Sequence, residues 1–124
     1  MQINITNNIT IPGNKVRIFQ LLLNLADNAI KYTPNNGYIE IELIKEGNQA
    51  VFSIKDNGIG IPEENLPHVF ERFYRVDKSR SRQSGGYGLG LAVCKTIVEA
   101  HKGYISLTSN VFTGTTVIVK LPLA

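Results

Sequence analysis

The chain has a single cysteine, Cys94, which excludes an internal disulfide framework and a zinc site built on several thiolates. A lone thiol fits a reducing, cytoplasmic setting. Long apolar runs are missing: the most apolar stretch, Leu21 to Ile30, is broken by Asn24, Asp27 and Asn28, so it does not read as a membrane span. The opening Met1-Gln2-Ile3-Asn4-Ile5-Thr6 lacks the basic-then-apolar layout of a secretory signal. Charge of one sign is also scarce. Thirteen Lys+Arg against ten Asp+Glu give a net charge of +3, and the basic residues are not massed in one run, so a nucleic-acid partner is not expected. No repeat or low-complexity tract is visible. No Ser-His-Asp set or carboxylate pair stands out for hydrolysis, and His68 and His101 lie apart from any Cys or acid at metal-ligand spacing. What is present is 124 residues at 43% hydrophobic and 19% charged, enough to bury the core of one domain spanning residues 1–124.

Ile3 and Ile5 alternate with polar residues as in a short edge strand, and Ile9-Thr10-Ile11 reads as another before Pro12-Gly13 turns the chain. From Asn14 to Tyr32 the period becomes helical. Ile18, Leu22, Leu25 and Ala29 form the apolar stripe, Gln20, Asn24, Asp27, Asn28 and Lys31 the polar side, and Asn14 is placed to cap the helix. Strands follow over Tyr38–Lys45 and Val51–Asp56, joined at Glu46-Gly47-Asn48. Residues 57–87 read mostly as loop, with a helical piece around Glu63–Phe70. A second long helix runs from Leu89 to His101 with the stripe Leu91, Cys94, Ile97 and Val98, and Gly103 is suited to the left-handed position after it. Strands over Tyr104–Ser109 and Thr115–Leu121 close the chain. This order predicts an α/β fold, a two-layer sandwich with a mixed, largely antiparallel sheet packed on helices.

Three clusters carry candidate chemistry. Asn24, Asn28 and Lys31 share one face of the first helix, with Tyr32 at its edge. Carboxamide oxygens and an ammonium there suit a hydrated magnesium ion and its phosphates, or simply a solvated polar face. Asp56 falls on the core-facing side of its strand beside Gly58 and Gly60. A buried carboxylate needs donors, which an exocyclic amine such as adenine's would supply and local backbone N–H groups could equally supply. Gly85-Gly86-Tyr87-Gly88-Leu89-Gly90 feeds a helix N-terminus, where backbone N–H groups face an anion, although the spacing is neither a dinucleotide fingerprint nor a Walker loop. Arg72, Arg75, Lys78, Arg80 and Arg82 precede it in a segment able to fold over such a site or to face water. Phe70-Glu71-Arg72-Phe73-Tyr74-Arg75 reads better as hinge packing than as a nucleic-acid stacking surface. Cys94, on an apolar stripe, reads as core.

Together these segments resemble the catalytic ATP-binding domain of sensor histidine kinases, a Bergerat-type fold of the gyrase, Hsp90, histidine kinase and MutL superfamily. Asn24-Leu25-Ala26-Asp27-Asn28-Ala29-Ile30-Lys31-Tyr32 is similar to the N box, and Asp56-Asn57-Gly58-Ile59-Gly60-Ile61-Pro62 to the first glycine box. Phe70–Arg75 is similar to the F box, Gly86-Tyr87-Gly88-Leu89-Gly90-Leu91 to the second glycine box, and Gly114-Thr115-Thr116 to the trailing Gly-Thr motif. The resemblance implies ATP and Mg2+ as cofactors, with Asn28 as metal ligand and Asn24 near it. It implies Lys31 and Arg75 on the phosphates, completing the catalytic set. Tyr32 would lie against the adenine and Asp56 would take its amine, with Gly58, Gly60 and Thr115 lining that pocket. Backbone around Gly86, Gly88, Leu89 and Gly90 would hold the phosphates, under an ATP lid at about residues 63–85.

The implied activity is that of an ATP-dependent protein-histidine kinase, with γ-phosphoryl transfer to a histidine on a separate dimerisation domain and a response regulator reached indirectly. The isolated domain is expected to be monomeric and cytoplasmic, compatible with a parent anchored in the cell membrane. Phe112 stands where the trailing motif often has a further glycine, and no dimerisation helices are present. An ATPase of the same superfamily is the rival reading, but its base would be a Glu where this chain has Asn24. A nucleotide-gated binding module is the other.

Overall fold

The computed structural model describes residues 2–5, 11–31, 33–34, 37–71, 90–111 and 113–123. Among these residues, five strands and two helices carry the architecture: β1 (Gln2–Ile5), α1 (Lys15–Lys31), β2 (Ile39–Glu46), β3 (Gln49–Asp56), α2 (Gly90–Ala100), β4 (Tyr104–Asn110) and β5 (Gly114–Pro122), with a short 3-10 helix at Glu63–His68. The sheet runs β1-β2-β3-β5-β4, and only the β1–β2 pairing is parallel. The predicted two-layer α/β sandwich with a mixed, largely antiparallel sheet is therefore the observed fold. Ile9 and Thr10 lie outside the described residues, and Ile11 belongs to no strand.

Local chemistry sets the ends of these elements. Asn14 caps α1, its Oδ1 accepting the Arg17 N–H at 3.1 Å, and Thr33 Oγ1 donates to the Ala29 carbonyl at 2.6 Å at the other end. The β2–β3 hairpin closes over two residues, with Gly47 at φ +60°, as the first central position of a type II′ turn requires. The end of α2 departs from expectation. The left-handed residue is Lys102 (φ 60°), not Gly103; the Gly103 N–H bonds back to the Val98 carbonyl at 2.9 Å, and Lys102 N–H to Glu99 at 3.0 Å. Gly103 is instead required one position later, because a Cβ there would run into the Lys120 carbonyl and the Leu121 side chain of β5. A lysine carries the unfavourable φ so that the glycine can sit against the sheet.

Both helices pack on one face of the sheet. From α1 come Leu21, Leu25 and Ala29, from α2 Cys94, Ile97 and Val98, and from the strands Ile39, Ile54, Ile105, Val117, Val119 and Leu121. Leu21, absent from the expected stripe, is fully buried, whereas Ile18 and Leu22 are half-buried. The stripe is thus rotated toward α2, and Val16, Phe19, Leu23 and Ile30 remain exposed on the outer side of α1. His101 joins the two helices. Its Nε2 accepts the Asn14 N–H at 3.0 Å and its Nδ1 reaches the Ile97 carbonyl at 2.8 Å, which assigns the proton to Nδ1. Gly13 leaves room for the ring, since a Cβ there would overlap it.

Candidate functional site

The last residue of β3, Asp56, is the one buried polar or charged residue among those described, at 8% exposure. Its Oδ1 accepts the Gly58 N–H at 2.8 Å and the Thr115 N–H at 3.3 Å; no donor among the described residues reaches Oδ2. Burial pushes the carboxyl above its ordinary value of 3.8, opposed by those two N–H groups. The local turn expected as the bland reading is present, but it uses one oxygen and leaves the other open.

Asp56 belongs to a row across the helix-covered face of the sheet. Strand register sets Ile39 beside Asp56, Asp56 beside Thr115, and Thr115 beside Ser109. Ser109 was not foreseen as part of a site. Its Oγ lies 2.8 Å from the Ile61 N–H, 3.0 Å from the Gly114 carbonyl and 2.8 Å from Thr115 Oγ1, so it ties the glycine segment after β3 to the start of β5. The available signal was the alternation Ile105, Leu107, Ser109, which ends an apolar face on a hydroxyl.

The two glycines that matter most here answer to the protein's own backbone. Gly60 (φ +73°) passes the Asn110 carbonyl and Gly114 (φ +112°) passes the Asp56 carbonyl, each so closely that a Cβ would overlap the oxygen. These contacts clamp the β3 exit onto the β4–β5 turn. Gly60, expected to line the base pocket, is thus also required by a close approach of the protein's own backbone.

On α1, Asn24, Asn28 and Lys31 are all half-buried rather than fully solvated. Burial pushes the Cys94 thiol up to about 12, against the opposing pull of a hydrogen bond with the Asn24 side chain. Cys94 itself is fully buried, as its place on an apolar stripe predicts, and its Sγ faces the Leu21 carbonyl at 3.8 Å. Lys31 Nζ pairs with Asp27 Oδ2 at 2.9 Å, one turn back. Such an exposed pair is worth about 0–1 kcal/mol, which leaves the ammonium free to be drawn to a stronger anion.

At the far edge, Val69 is buried, Phe70 packs against the core cluster and Lys95 of α2 lies over the Phe70 ring, 5.8 Å from its centroid. The start of the F-box-like segment therefore anchors on α2, in keeping with hinge packing. His68, expected to have no Cys or acid at metal-ligand spacing, pairs with Glu71 at 2.6 Å. Among the described residues no three His, Cys, Asp or Glu converge as a metal site. Gly90 opens α2; Tyr32, Arg75, Gly86, Gly88 and Leu89, and Phe112 in the trailing turn, lie outside the described residues.

Residues 13–124 match the family described as histidine kinase-, DNA gyrase B-, and HSP90-like ATPase. The signal transduction histidine-protein kinase BaeS of Escherichia coli is 39% identical over 123 residues, which is 99% of this chain and 26% of that protein. The sensor histidine kinase WalK of Bacillus subtilis is 46% identical over 108 residues, 86% of this chain and 18% of that one. The chain thus spans about a quarter or less of the length of these relatives. Among solved structures, the mycobacterial sensor histidine kinase MprB superposes with a TM-score of 0.85 at 30% identity, covering 98% of this chain and 82% of that one. The histidine kinase ShkA, solved full-length in complex with AMPPNP, gives a TM-score of 0.79 at 27% identity over 98% of this chain and 26% of its own. With the motifs in order, the fold shared and the match running from Gly13 to Ala124, the chain belongs to the histidine kinase-, DNA gyrase B- and HSP90-like ATPase family.

Proposed function

We propose that this chain binds Mg-ATP and donates the γ-phosphoryl group to a histidine on a separate dimerisation domain in two-component signalling, acting in the cytoplasm. The observation that carries the reading is Asp56: a buried carboxylate with one oxygen held by two backbone N–H groups and the other without a donor among the described residues. A buried acceptor of that kind asks for a donor from a ligand, and an aromatic amine supplies one without adding charge. The relatives named as sensor histidine kinases, and the AMPPNP complex of ShkA, support the same ligand class.

The residues present fit the two cofactors in chemical kind. Asn28 offers a neutral oxygen to a hard cation that keeps most of its waters, and Lys31, close in sequence, is held among the described residues by a partly exposed pair with Asp27. Magnesium, when bound, would neutralise polyphosphate charge. Phosphoryl transfer needs little covalent chemistry from the protein, so this chain's task is to orient the nucleotide and compensate its charge. Asp56, Gly58, Gly60 and Thr115 take the base in this reading. Gly90 and the preceding Gly86, Gly88 and Leu89 receive phosphate at the N-terminus of α2, with Arg75 and a lid over about residues 63–85. Val69 is buried and Phe70 packs against the core, so these two residues of the segment belong to the body of the domain. Water activation is poorly served, because Asn24 is an amide and cannot take a proton as a carboxylate does.

The test is incubation with γ-labelled ATP, alone and with a histidine-bearing dimerisation domain from a relative such as WalK. Label is expected on the added domain and not on this chain. ATP binding without transfer to any such domain would leave a nucleotide-gated binding module instead.

A further inference from the structure

We infer that Ser109 is a positioning residue that makes the base pocket selective for a 6-amino over a 6-oxo purine nucleotide, by fixing the direction of the Thr115 hydroxyl; this rests on the nucleotide-binding reading above. The argument is one of proton accounting. Ser109 Oγ has three neighbours at hydrogen-bond distance. The Ile61 N–H can only donate to it and the Gly114 carbonyl can only accept from it. Ser109 has a single proton, so satisfying Gly114 leaves none for Thr115. The Thr115 hydroxyl must therefore donate to Ser109 Oγ, which leaves Thr115 Oγ1 with lone pairs and no proton to offer elsewhere. Its register neighbour Asp56 is in the same condition, with Oδ1 filled and Oδ2 open.

Two acceptors thus sit side by side on one face of the sheet. A ligand edge with two N–H bonds on one nitrogen suits both; a carbonyl oxygen at the same place meets lone pairs twice and leaves both acceptors unpaired. Were Ser109 absent, the Thr115 hydroxyl could turn its proton outward and donate to a 6-oxo group. Ser109 touches no base in this scheme. It acts through Thr115, and its backbone anchors to Ile61 and Gly114 hold it in the one orientation that does so.

The experiment is calorimetric titration of this chain with ATP and with ITP, which differ at the 6-position and at the ring nitrogen beside it. Wild type should prefer ATP, and Ser109→Ala should narrow that ATP:ITP ratio by about tenfold, the scale of one correctly polarised hydrogen bond. Ser109→Thr, which keeps the hydroxyl, should retain the ratio. Thr115→Val, which cannot donate outward, provides a second route: adding Ser109→Ala to it should change the ratio no further. A purely structural Ser109 would weaken both nucleotides alike and leave the ratio unchanged, which would overturn the inference. The same holds if the two substitutions change the ratio independently. A wild-type chain that binds neither nucleotide would instead remove the nucleotide reading itself.

Discussion

Asp56 carries opposite demands for stability and for binding. Burial raises its proton affinity in the folded chain relative to the unfolded one, from an ordinary value of 3.8. The folded state thus binds more protons in the window between the two values. This contribution to stability is full below the ordinary value and is lost as pH rises through the folded value. Asp56→Asn keeps an oxygen for the Gly58 and Thr115 N–H groups but cannot ionise. Its melting temperature relative to wild type should therefore climb as pH rises from about 4 through that window, then level off, as thermal melts in a pH series would show. Nucleotide binding should move the other way. Loss of a hydrogen bond to a charged acceptor costs about 1.5–3 kcal/mol, so titration with ATP should show a large fall in affinity while the variant stays folded. Asn28→Ala should abolish the part of ATP affinity that depends on magnesium and spare the part that does not; titrations with magnesium and with a chelator make the comparison.

Helix ends and close approaches govern the next scale. His101 holds the start of α1 to the end of α2 through two backbone groups. Replacing it with Ala leaves the Asn14 N–H without that partner. Urea titration should register a loss of about 0.5–1.5 kcal/mol, and amide exchange at Asn14 should quicken more than exchange at Leu25 in mid-helix. Gly60→Ala should cost more than about 1 kcal/mol and disturb the β4–β5 turn, since a Cβ at φ +73° meets the Asn110 carbonyl; a denaturation curve checks the first and amide shifts around Asn110 the second.

Much at this scale was legible from residue order. The Asn14 cap, the α1 and α2 spans to within a residue or two and both antiparallel hairpins followed from period and turn chemistry. What escaped was decided by partners distant in sequence. Leu21 replaced Ile18 as the buried residue because α2 lies on that side, and Gly103 was drawn one place past the left-handed position by Lys120 and Leu121. The candidate site divides in the same way. Asp56 stood out as an acid on an apolar face, whereas Ser109 acquires meaning only when strand register sets it beside Thr115.

For the molecule as a whole, the proposed nucleotide site has neither described histidine placed as its nucleophile. His101 has both ring nitrogens engaged with backbone groups, and His68 bonds Glu71. Neither should gain stable phosphate from γ-labelled ATP, which a gel run under conditions that preserve phosphohistidine would read directly; label lost in His68→Ala or His101→Ala would contradict this. The relatives' greater length fits an acceptor on another domain.

The row of Ile39, Asp56, Thr115 and Ser109 also has a meaning for assembly. Ile39 and Asp56 sit on the β2–β3 hairpin, Thr115 and Ser109 on the β4–β5 hairpin, and the proposed base site straddles the seam where these halves meet. Each hairpin closes over a few residues and can form in about 1–10 μs, but the seam joins Asp56 to Thr115 across 59 positions and must wait for that closure. Neither half holds a binding site by itself. A nucleotide bridging Asp56 and Thr115 would therefore act as a staple on the least local pairing of the sheet, and on refolding its affinity would return with the seam, after the hairpins.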